Sequence, residues 1–279
     1  MRYDCAAILT DLDGTLFNSS GEVSAEDRAA IQEFVNGGGL FAIASGREPH
    51  NARLHLPNVP LNGPSIVLNG AGVYDFVRHQ YLYSVLMDKE AAADVLSYCQ
   101  QTGLPLDQQV YTTKGIFYAT PLETADPGFL RIHQPTSYVP LDQLKRTDWI
   151  KVVLLEREVD ALVPMREYLA HKGYESRLSL VEGTTDVVQV GKYQELLPLG
   201  INKGTAVSAL RRLPVYEGRR LFAVGDYWND RELLQCADVP CAPDNAIKEV
   251  KELCSHILPS HNESAVASLI REVIPRENY

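Results

Sequence analysis

Short apolar runs alternate with amphipathic helical patterns at both ends of this sequence, and no other feature restricts the fold as strongly. Buried strands are predicted at "CAAILT" (5–10), "LFAIA" (40–44), "SIVLNG" (65–70) and "RLFAVG" (220–225). Helices are predicted at "SAEDRAAIQEFVNGGG" (24–39), where Ser24 and Asp27 form a capping box, at "NKGTAVSALRRL" (202–213) and at "SAVASLIREVI" (264–274). Strands that alternate with crossover helices pair in parallel, so the pattern predicts an α/β fold.

The middle of the chain has a different pattern. Helices are predicted at "DKEAAADVLSYCQQTG" (88–103) and "VDALVPMREYLAHKG" (159–173), and strands at 108–120, at "WIKVVLLE" (149–156) and, twice, within "SRLSLVEGTTDVVQVG" (176–191). This order indicates a mixed, partly antiparallel α+β unit. We therefore predict a domain of residues 84–190 inserted into a first domain formed by residues 1–83 and 191–279.

Composition excludes some classes of protein. A chain of 279 residues with 45% hydrophobic residues can bury one large core or two modest ones. The net charge of −10, without clusters of Lys and Arg, disfavours a nucleic-acid partner. No apolar run approaches the roughly 20 residues of a membrane span, and the first residues do not form a signal peptide. The five cysteines form no C-x-x-C pair, which favours a cytoplasmic location. The sequence does not indicate an oligomeric state.

Polar clusters follow three of the predicted strands. Asp11 and Asp13 come directly after the first strand, "SGR" (45–47) follows the second, and "DYWND" (226–230) follows the strand at 220–225. Ligands of parallel α/β sheets bind at the carboxyl ends of the strands, so these clusters are expected to meet at one rim. Residues i and i+2 of an extended segment share a side, which would direct Asp11 and Asp13 at the same ligand.

The predicted rim is rich in carboxylates. Asp11, Asp13, Asp226 and Asp230 would repel one another unless they were protonated or bound a hard cation, and such oxygen ligands suit Mg²⁺. Backbone N–H groups near Ser45 and Gly46, with the Ser45 hydroxyl and the Lys203 ammonium, would form a complementary anion site. Taken alone, Lys203 is better explained as a solvated lysine, and only the polar clusters elsewhere in the sequence favour a role for it in this site.

The four motifs "DLDGT", Ser45 of "SGR", Lys203 of "GINKG" and "GDYWND" resemble, in order, those of the haloacid dehalogenase superfamily. "LNGAGVYD" (68–75), "YQELLPLGINKG" (193–204) and the long insertion between them are similar to its Cof-type phosphatases. The resemblance covers nearly the whole chain. It implies a Rossmann-like parallel core with an inserted mixed α+β cap, and a Mg²⁺-dependent phosphatase that acts on small phosphorylated metabolites. Sugar phosphates are the expected substrates, and nucleotide, flavin or pyridoxal phosphates and a broad specificity are the alternatives.

The resemblance also implies roles for individual residues. Asp11 would be the nucleophile that becomes an aspartyl phosphate, and Asp13 the general acid and base. The metal would be held by the Asp11 carboxylate, the Asp13 backbone carbonyl and Asp226. Phosphoryl oxygens would contact Ser45, Gly46, Lys203 and Asn229, with Asp230 and Asn69 in supporting positions.

Several alternatives stay open at this point. Asn69 either serves the pocket or makes an Asx turn with Gly70, and Tyr227 and Trp228 either face the substrate or staple the following helix. A phospho-accepting signalling domain also places an aspartate, a hydroxyl and a lysine around Mg²⁺, but it needs neither Asp13 nor a cap. A phosphomutase of the same superfamily differs from a phosphatase in that it does not release inorganic phosphate steadily.

Overall fold

The structure is a computed structural model, and it describes residues 3–277 except 126, 128, 129, 131–135 and 185–190. The strands are β1 (Ala6–Thr10), β2 (Leu40–Ile43), β3 (Ser65–Val67), β4 (Gly72–Asp75), β5 (Gln80–Ser84), β6 (Leu106–Thr112), β7 (Gly115–Tyr118), β8 (Thr136–Tyr138), β9 (Lys151–Glu156), β10 (Leu178–Thr184), β11 (Lys192–Pro198), β12 (Arg220–Val224), β13 (Val239–Pro243) and β14 (His256–Leu258). The helices are α1 (Ala25–Asn36), α2 (Pro49–Leu54), α3 (Lys89–Thr102), α4 (Leu141–Leu144), α5 (Leu162–His171), α6 (Lys203–Leu210), α7 (Arg231–Gln235), α8 (Lys248–Lys251), α9 (Ala265–Ser268) and α10 (Ile274–Glu277). Among the described residues, no helix combines the length and the apolar character that a membrane span requires.

The chain divides into two compact units. Unit 1 comprises Met1–Tyr83 and Asn202–Tyr279, and unit 2 comprises Ser84–Ile201. Unit 1 contains a five-stranded sheet in the order β14-β13-β12-β1-β2, in which every neighbouring pair is parallel. All five residues of β1 are buried, as is typical of a central strand of a parallel sheet. The predicted α/β fold with a parallel sheet is confirmed.

The start of α1 is joined by hydrogen bonds to α9, near the C-terminal end of unit 1. Ser24 caps the helix as predicted, because its Oγ accepts a hydrogen bond from the Asp27 N–H at 2.9 Å. The buried Asp27 carboxylate does not return to the backbone of Ser24, as a full capping box requires. It accepts hydrogen bonds from the Ser24 hydroxyl at 2.9 Å and from the Ala267 N–H in α9 at 2.7 Å. Asp27 therefore joins the two helices inside the unit.

Unit 2 is a mixed sheet with helices packed on it. The strand order is β10-β11-β9-β6-β7-β8, and the pairs are antiparallel except β7 with β8. Its core combines apolar residues of α3 and α5 with residues of the strands, among them Leu96, Leu106, Val152, Leu154 and Met165. The predicted helices at 88–103 and 159–173 correspond to α3 and α5.

The second boundary of the inserted unit differs from the one predicted. We placed residues 191–201 in the first domain, but β11 pairs with β9 and β10 in the sheet of unit 2. The apolar residues Leu196 and Leu197 of that strand are buried, and the sequence analysis had not predicted a strand there. Of the two strands predicted within 176–191, β10 is present, and the remainder falls largely on residues 185–190, outside the described residues.

Candidate active site

Three loops of unit 1 meet at the carboxyl end of its sheet. Asp11 follows β1, Ser45 follows β2 and Asp226 follows β12, and these three strands are neighbours in the order β12-β1-β2. The Asp11 N–H donates to the Val224 carbonyl at 2.9 Å, so pairing of β1 with β12 continues to the first residue of the site. The strand arrangement thus brings together segments that are far apart in the sequence.

A buried lysine lies at the centre of this rim. The Lys203 Nζ donates to Asp11 Oδ1 at 2.8 Å and to Asp230 Oδ1 at 2.6 Å, and its side chain is 0% exposed. Lys203 is the first residue of α6, where Asn202 and Thr205 form a capping box that fixes the start of the helix. A lysine that is fully buried between two carboxylates is not a solvated surface residue.

Asp226 is held by the loop that carries Asp11. The Thr15 hydroxyl donates to Asp226 Oδ1 at 2.7 Å. The Asp230 Oδ2 atom accepts from the N–H groups of Asp226 and Tyr227 at 3.0 and 3.3 Å, which folds the segment after β12 into a tight turn. Since Lys203 occupies its other oxygen, Asp230 supports the site mainly by positioning Lys203 and the Asp226 backbone.

Burial and mutual repulsion shift the proton affinities of these groups. Burial, with the charges of Asp230 and Asp226, raises the pKa of Asp11 well above its usual value, although Lys203 lowers it. Burial raises the pKa of Asp226 to about 6, while the Thr15 hydrogen bond lowers it. Burial alone would lower the pKa of Lys203, but the charges of Asp11 and Asp230 outweigh burial and raise it. Asp11 and Asp226 therefore hold a proton more tightly than exposed aspartates do.

The donor set fits a hard cation. Asp11, Asp226 and Asp230 each offer a carboxylate oxygen, and these oxygens lie within 4.8 Å of one another. Carboxylate oxygens without nitrogen or sulfur ligands are the set that Mg²⁺ prefers, and a divalent cation would offset the mutual repulsion of these carboxylates. Gly14 has a positive φ of +75°, and a Cβ atom there would overlap Asp226 Oδ2. The backbone of the first loop thus approaches the carboxylate so closely that only glycine fits.

Asp13 does not join this cluster. Residues 12–16 form a wide turn closed by a hydrogen bond from the Phe17 N–H to the Leu12 carbonyl at 2.8 Å. The Asp13 carboxylate therefore lies outside the cluster of Asp11, Asp226 and Asp230. That Asp11 and Asp13 face the same ligand stays a prediction. The Asp13 side chain is 62% exposed and pairs with Arg47 at 2.7 Å.

The remaining predicted residues lie on the loops after β2, β3 and β12. Ser45 is buried, and its Oγ accepts from the Arg47 N–H at 3.2 Å. The Asn69 N–H donates to the Ser45 carbonyl at 3.1 Å, and a Cβ at Gly46 would lie 2.9 Å from the Asn69 amide. Asn69 therefore packs against the Ser45 loop. Asn229 is exposed and makes none of these buried contacts.

Tyr227 and Trp228 are both exposed, at 55% and 49%. A stapled ring would be covered by the helix that follows, so the exposure of both rings argues against the hydrophobic staple. The structure leaves these aromatic side chains at the solvent side of the turn after Asp226.

Three residues that contact the candidate site were not predicted as site residues from the sequence. Thr15 supports Asp226, Arg47 pairs with Asp13, and Asn245 donates from Nδ2 to the Gly14 carbonyl at 2.8 Å. The Asn245 Oδ1 atom in turn accepts from the His261 N–H at 2.9 Å. Thr15 and Arg47 lie within the motifs "DLDGT" and "SGR", so the sequence marked these positions. It did not predict their hydrogen-bond partners, because those depend on the turn geometry.

Comparison with known proteins identifies the family of this chain. The family model described as haloacid dehalogenase-like hydrolase matches residues 8–270. The sequence is 26% identical to 5-amino-6-(5-phospho-D-ribitylamino)uracil phosphatase YwtE of Bacillus subtilis, over 97% of this chain and 98% of that protein.

Solved structures share the fold. TM0651 from Thermotoga maritima superposes with a TM-score of 0.78 at 22% identity, covering 95% of this chain and 96% of that one. The structure described as the subclass IIB sugar phosphatase BT4131 superposes with a TM-score of 0.72 at 18% identity, covering 97% of this chain and 99% of that one.

Proposed function

The chain belongs to the haloacid dehalogenase-like hydrolases and is a phosphatase of that family, and we propose that it hydrolyses small phosphorylated metabolites, foremost sugar phosphates, through an aspartyl phosphate on Asp11. The observation that carries this proposal is the buried contact of Lys203 with Asp11 beside Asp226. The substrate class is supported by relatives whose names specify a phospho-ribityl compound and a sugar phosphate.

The proposal assigns Mg²⁺ to the Asp11 carboxylate, the Asp13 backbone carbonyl and Asp226. The close approach of the carboxylate oxygens of buried Asp11 and partly buried Asp226 supports this assignment. When bound, Mg²⁺ supplies positive charge to the phosphoryl oxygens and so favours the charge distribution of the transition state. Lys203 adds a second positive charge at the base of the site.

Asp11 and Asp13 divide the chemistry into two displacements. The Asp11 carboxylate attacks phosphorus while the ester P–O bond breaks, and Asp13 gives its proton to the departing oxygen. Water then attacks the same phosphorus, Asp13 takes its proton, and cleavage of the acyl phosphate releases inorganic phosphate and restores Asp11. Lys203 keeps the nucleophile oriented through its bond to Oδ1.

The substrate's phosphoryl oxygens would contact the Ser45 hydroxyl, the Gly46 N–H, Lys203 and Asn229. Unit 2 corresponds to the inserted cap in this proposal. A cytoplasmic location is also proposed, since each of the five cysteines lies among the described residues as a free thiol.

A panel of phosphorylated metabolites, with released phosphate measured by a colorimetric assay, tests the function. Wild-type protein with Mg²⁺ should release phosphate from at least one sugar or polyol phosphate over many turnovers. Asp11→Asn should lower turnover by several powers of ten, whereas Asp244→Asn, at an exposed aspartate of unit 1, should leave it unchanged. Equal turnover of Asp11→Asn and wild type would remove Asp11 from its role.

The metal assignment has its own test. EDTA should abolish phosphate release, and added Mg²⁺ should restore it. Full activity in the continued presence of the chelator would contradict the assignment. A phosphomutase would instead transfer the phosphoryl group between positions of a sugar without steady release of phosphate, so the same assay separates these two activities.

A further inference from the structure

Arg47 donates two hydrogen bonds to the exposed carboxylate of Asp13. Its Nη2 donates to Asp13 Oδ1 at 2.7 Å, and its Nε donates to Asp13 Oδ2 at 3.0 Å. Two parallel bonds of this kind fix the plane of the carboxylate as well as its position. An aspartate side chain that is 62% exposed would otherwise exchange freely between rotamers.

The Arg47 side chain also contacts the helix α2 and an aromatic ring. Its Nη1 donates to Oδ1 of the buried Asn51 at 2.8 Å, in the first turn of α2. Its guanidinium carbon lies 5.5 Å from the centre of the Phe17 ring, within the range of a cation–π contact. Glu48 caps α2 by accepting from the N–H groups of His50 and Asn51, so the helix that carries Asn51 is itself fixed at its start. The guanidinium therefore connects Asp13 to a helix.

The pair leaves Asp13 able to react. A carboxylate has about four acceptor positions on its two oxygens, and a bidentate arginine uses one on each oxygen. The remaining positions stay open to a leaving-group oxygen or a water molecule. The guanidinium stays protonated at physiological pH, so it cannot replace Asp13 as the acid or base.

We propose that Arg47 is the positioning residue for Asp13, which sets the carboxylate at the place where the leaving oxygen takes its proton. This inference rests on the proposed role of Asp13 as general acid and base. Correct placement of a reacting group contributes large factors to rate, and a displacement of about 1 Å costs on the order of 100-fold. A lysine offers a single point charge in place of the fork, so it cannot fix the plane of the carboxylate.

A double-mutant cycle tests the proposal with a sugar phosphate that the enzyme hydrolyses. Arg47→Met should lower kcat by roughly 10- to 100-fold with a small change in KM, and Arg47→Lys should recover little of the loss. In the Asp13→Asn background, Arg47→Met should cause no further loss. Arg53→Met is the matched control, because Arg53 lies in α2, the helix that follows Arg47, and donates to the Val59 carbonyl at 2.9 Å.

The leaving group provides a second readout. p-Nitrophenyl phosphate releases a phenolate that needs no proton, so Arg47→Met should impair formation of the aspartyl phosphate less with this compound than with a sugar phosphate. A residue that only stabilises the fold would slow both substrates equally.

Three results would overturn the inference. Losses that multiply in the double variant would show that Arg47 acts independently of Asp13, and a change confined to KM would make it a substrate-binding residue. A higher kcat of Arg47→Met than of wild type would show that the Asp13–Arg47 pair inhibits the reaction. Wild-type turnover by Asp13→Asn would remove the role of Asp13 itself, which distinguishes failure of the proposed function from failure of the Arg47 inference.

Discussion

Replacing Lys203 with methionine measures how much stability depends on one buried charge. Methionine keeps a long unbranched side chain but leaves Asp11 and Asp230 without a counter-ion in a place where the Lys203 side chain is 0% exposed. Removing one partner of a buried ion pair costs about 3–5 kcal/mol. Because this ammonium serves two carboxylates, we expect the upper half of that range, a factor of roughly 10³ or more in the folding constant.

Urea denaturation at pH 7 in EDTA, followed by far-ultraviolet circular dichroism, gives the free energy of unfolding for this comparison. Lys251→Met is the matched control. Lys251 Nζ pairs with Asp244 Oδ1 at 2.9 Å, but the two side chains are 30% and 71% exposed. Loss of such a surface pair is expected to cost less than about 1 kcal/mol.

The pH dependence of the loss provides the internal check. Burial, with the charge of Asp230, already raises the pKa of Asp11, and removal of Lys203 raises it further. A carboxyl group whose pKa is higher in the folded protein than in the unfolded chain stabilises the fold at pH values below the unfolded pKa. That stability is lost as the pH rises through the folded pKa. The deficit of Lys203→Met should therefore shrink toward pH 4 and grow toward pH 7. A deficit equal to that of Lys251→Met, or one that does not change with pH, would refute this reasoning.

Three further predictions follow from single contacts. Gly14→Ala should lower phosphatase activity at least tenfold, because the new Cβ would overlap Asp226. Gly21→Ala is the control, since Gly21 has a similar φ of +73° but lies in open space. This variant should lose only about 1–2 kcal/mol of stability and keep its activity. Thr15→Val should raise the pKa of Asp226 above about 6 and weaken Mg²⁺ binding roughly 10- to 100-fold by calorimetry at pH 7, with partial recovery at pH 8; equal affinity in wild type and variant would contradict this. Asp27→Asn removes a carboxyl whose pKa is raised by burial, so the stability of the wild type relative to the variant should fall from pH 4 to pH 7, and a rise over that interval would exclude the shift.

The parts of the site that could be predicted from sequence are those fixed by strand ends. Asp11 and Asp226 follow β1 and β12, and in a parallel sheet this alone brings them to one rim. The helix start at Ser24 could be predicted as well, because the cap is a local interaction. These cases need only the order of strands and helices.

The contacts that were missed depend on geometry inside turns. The turn after Asp11 directs Asp13 away from the cluster toward Arg47, and Gly14 at positive φ is the residue that allows this turn. Hydrogen bonds from Thr15 and Asn245 join segments with no periodic pattern. The strand β11 was missed because its apolar run lies inside a stretch that also matched a motif of the family.

The position of β1 between β2 and β12 has a consequence for protein synthesis. Asp11 and Lys203 lie 192 residues apart in the sequence, and all of unit 2 is made between them. At 5–20 residues per second, roughly 10–40 s separate the two during translation. Throughout that interval β1 lacks its partner β12, and Asp11 lacks both Lys203 and Asp226. A nascent chain thus contains Asp11 long before the buried cluster around it exists, and that cluster forms only after the segment that carries Asp226 and Asp230 has been made.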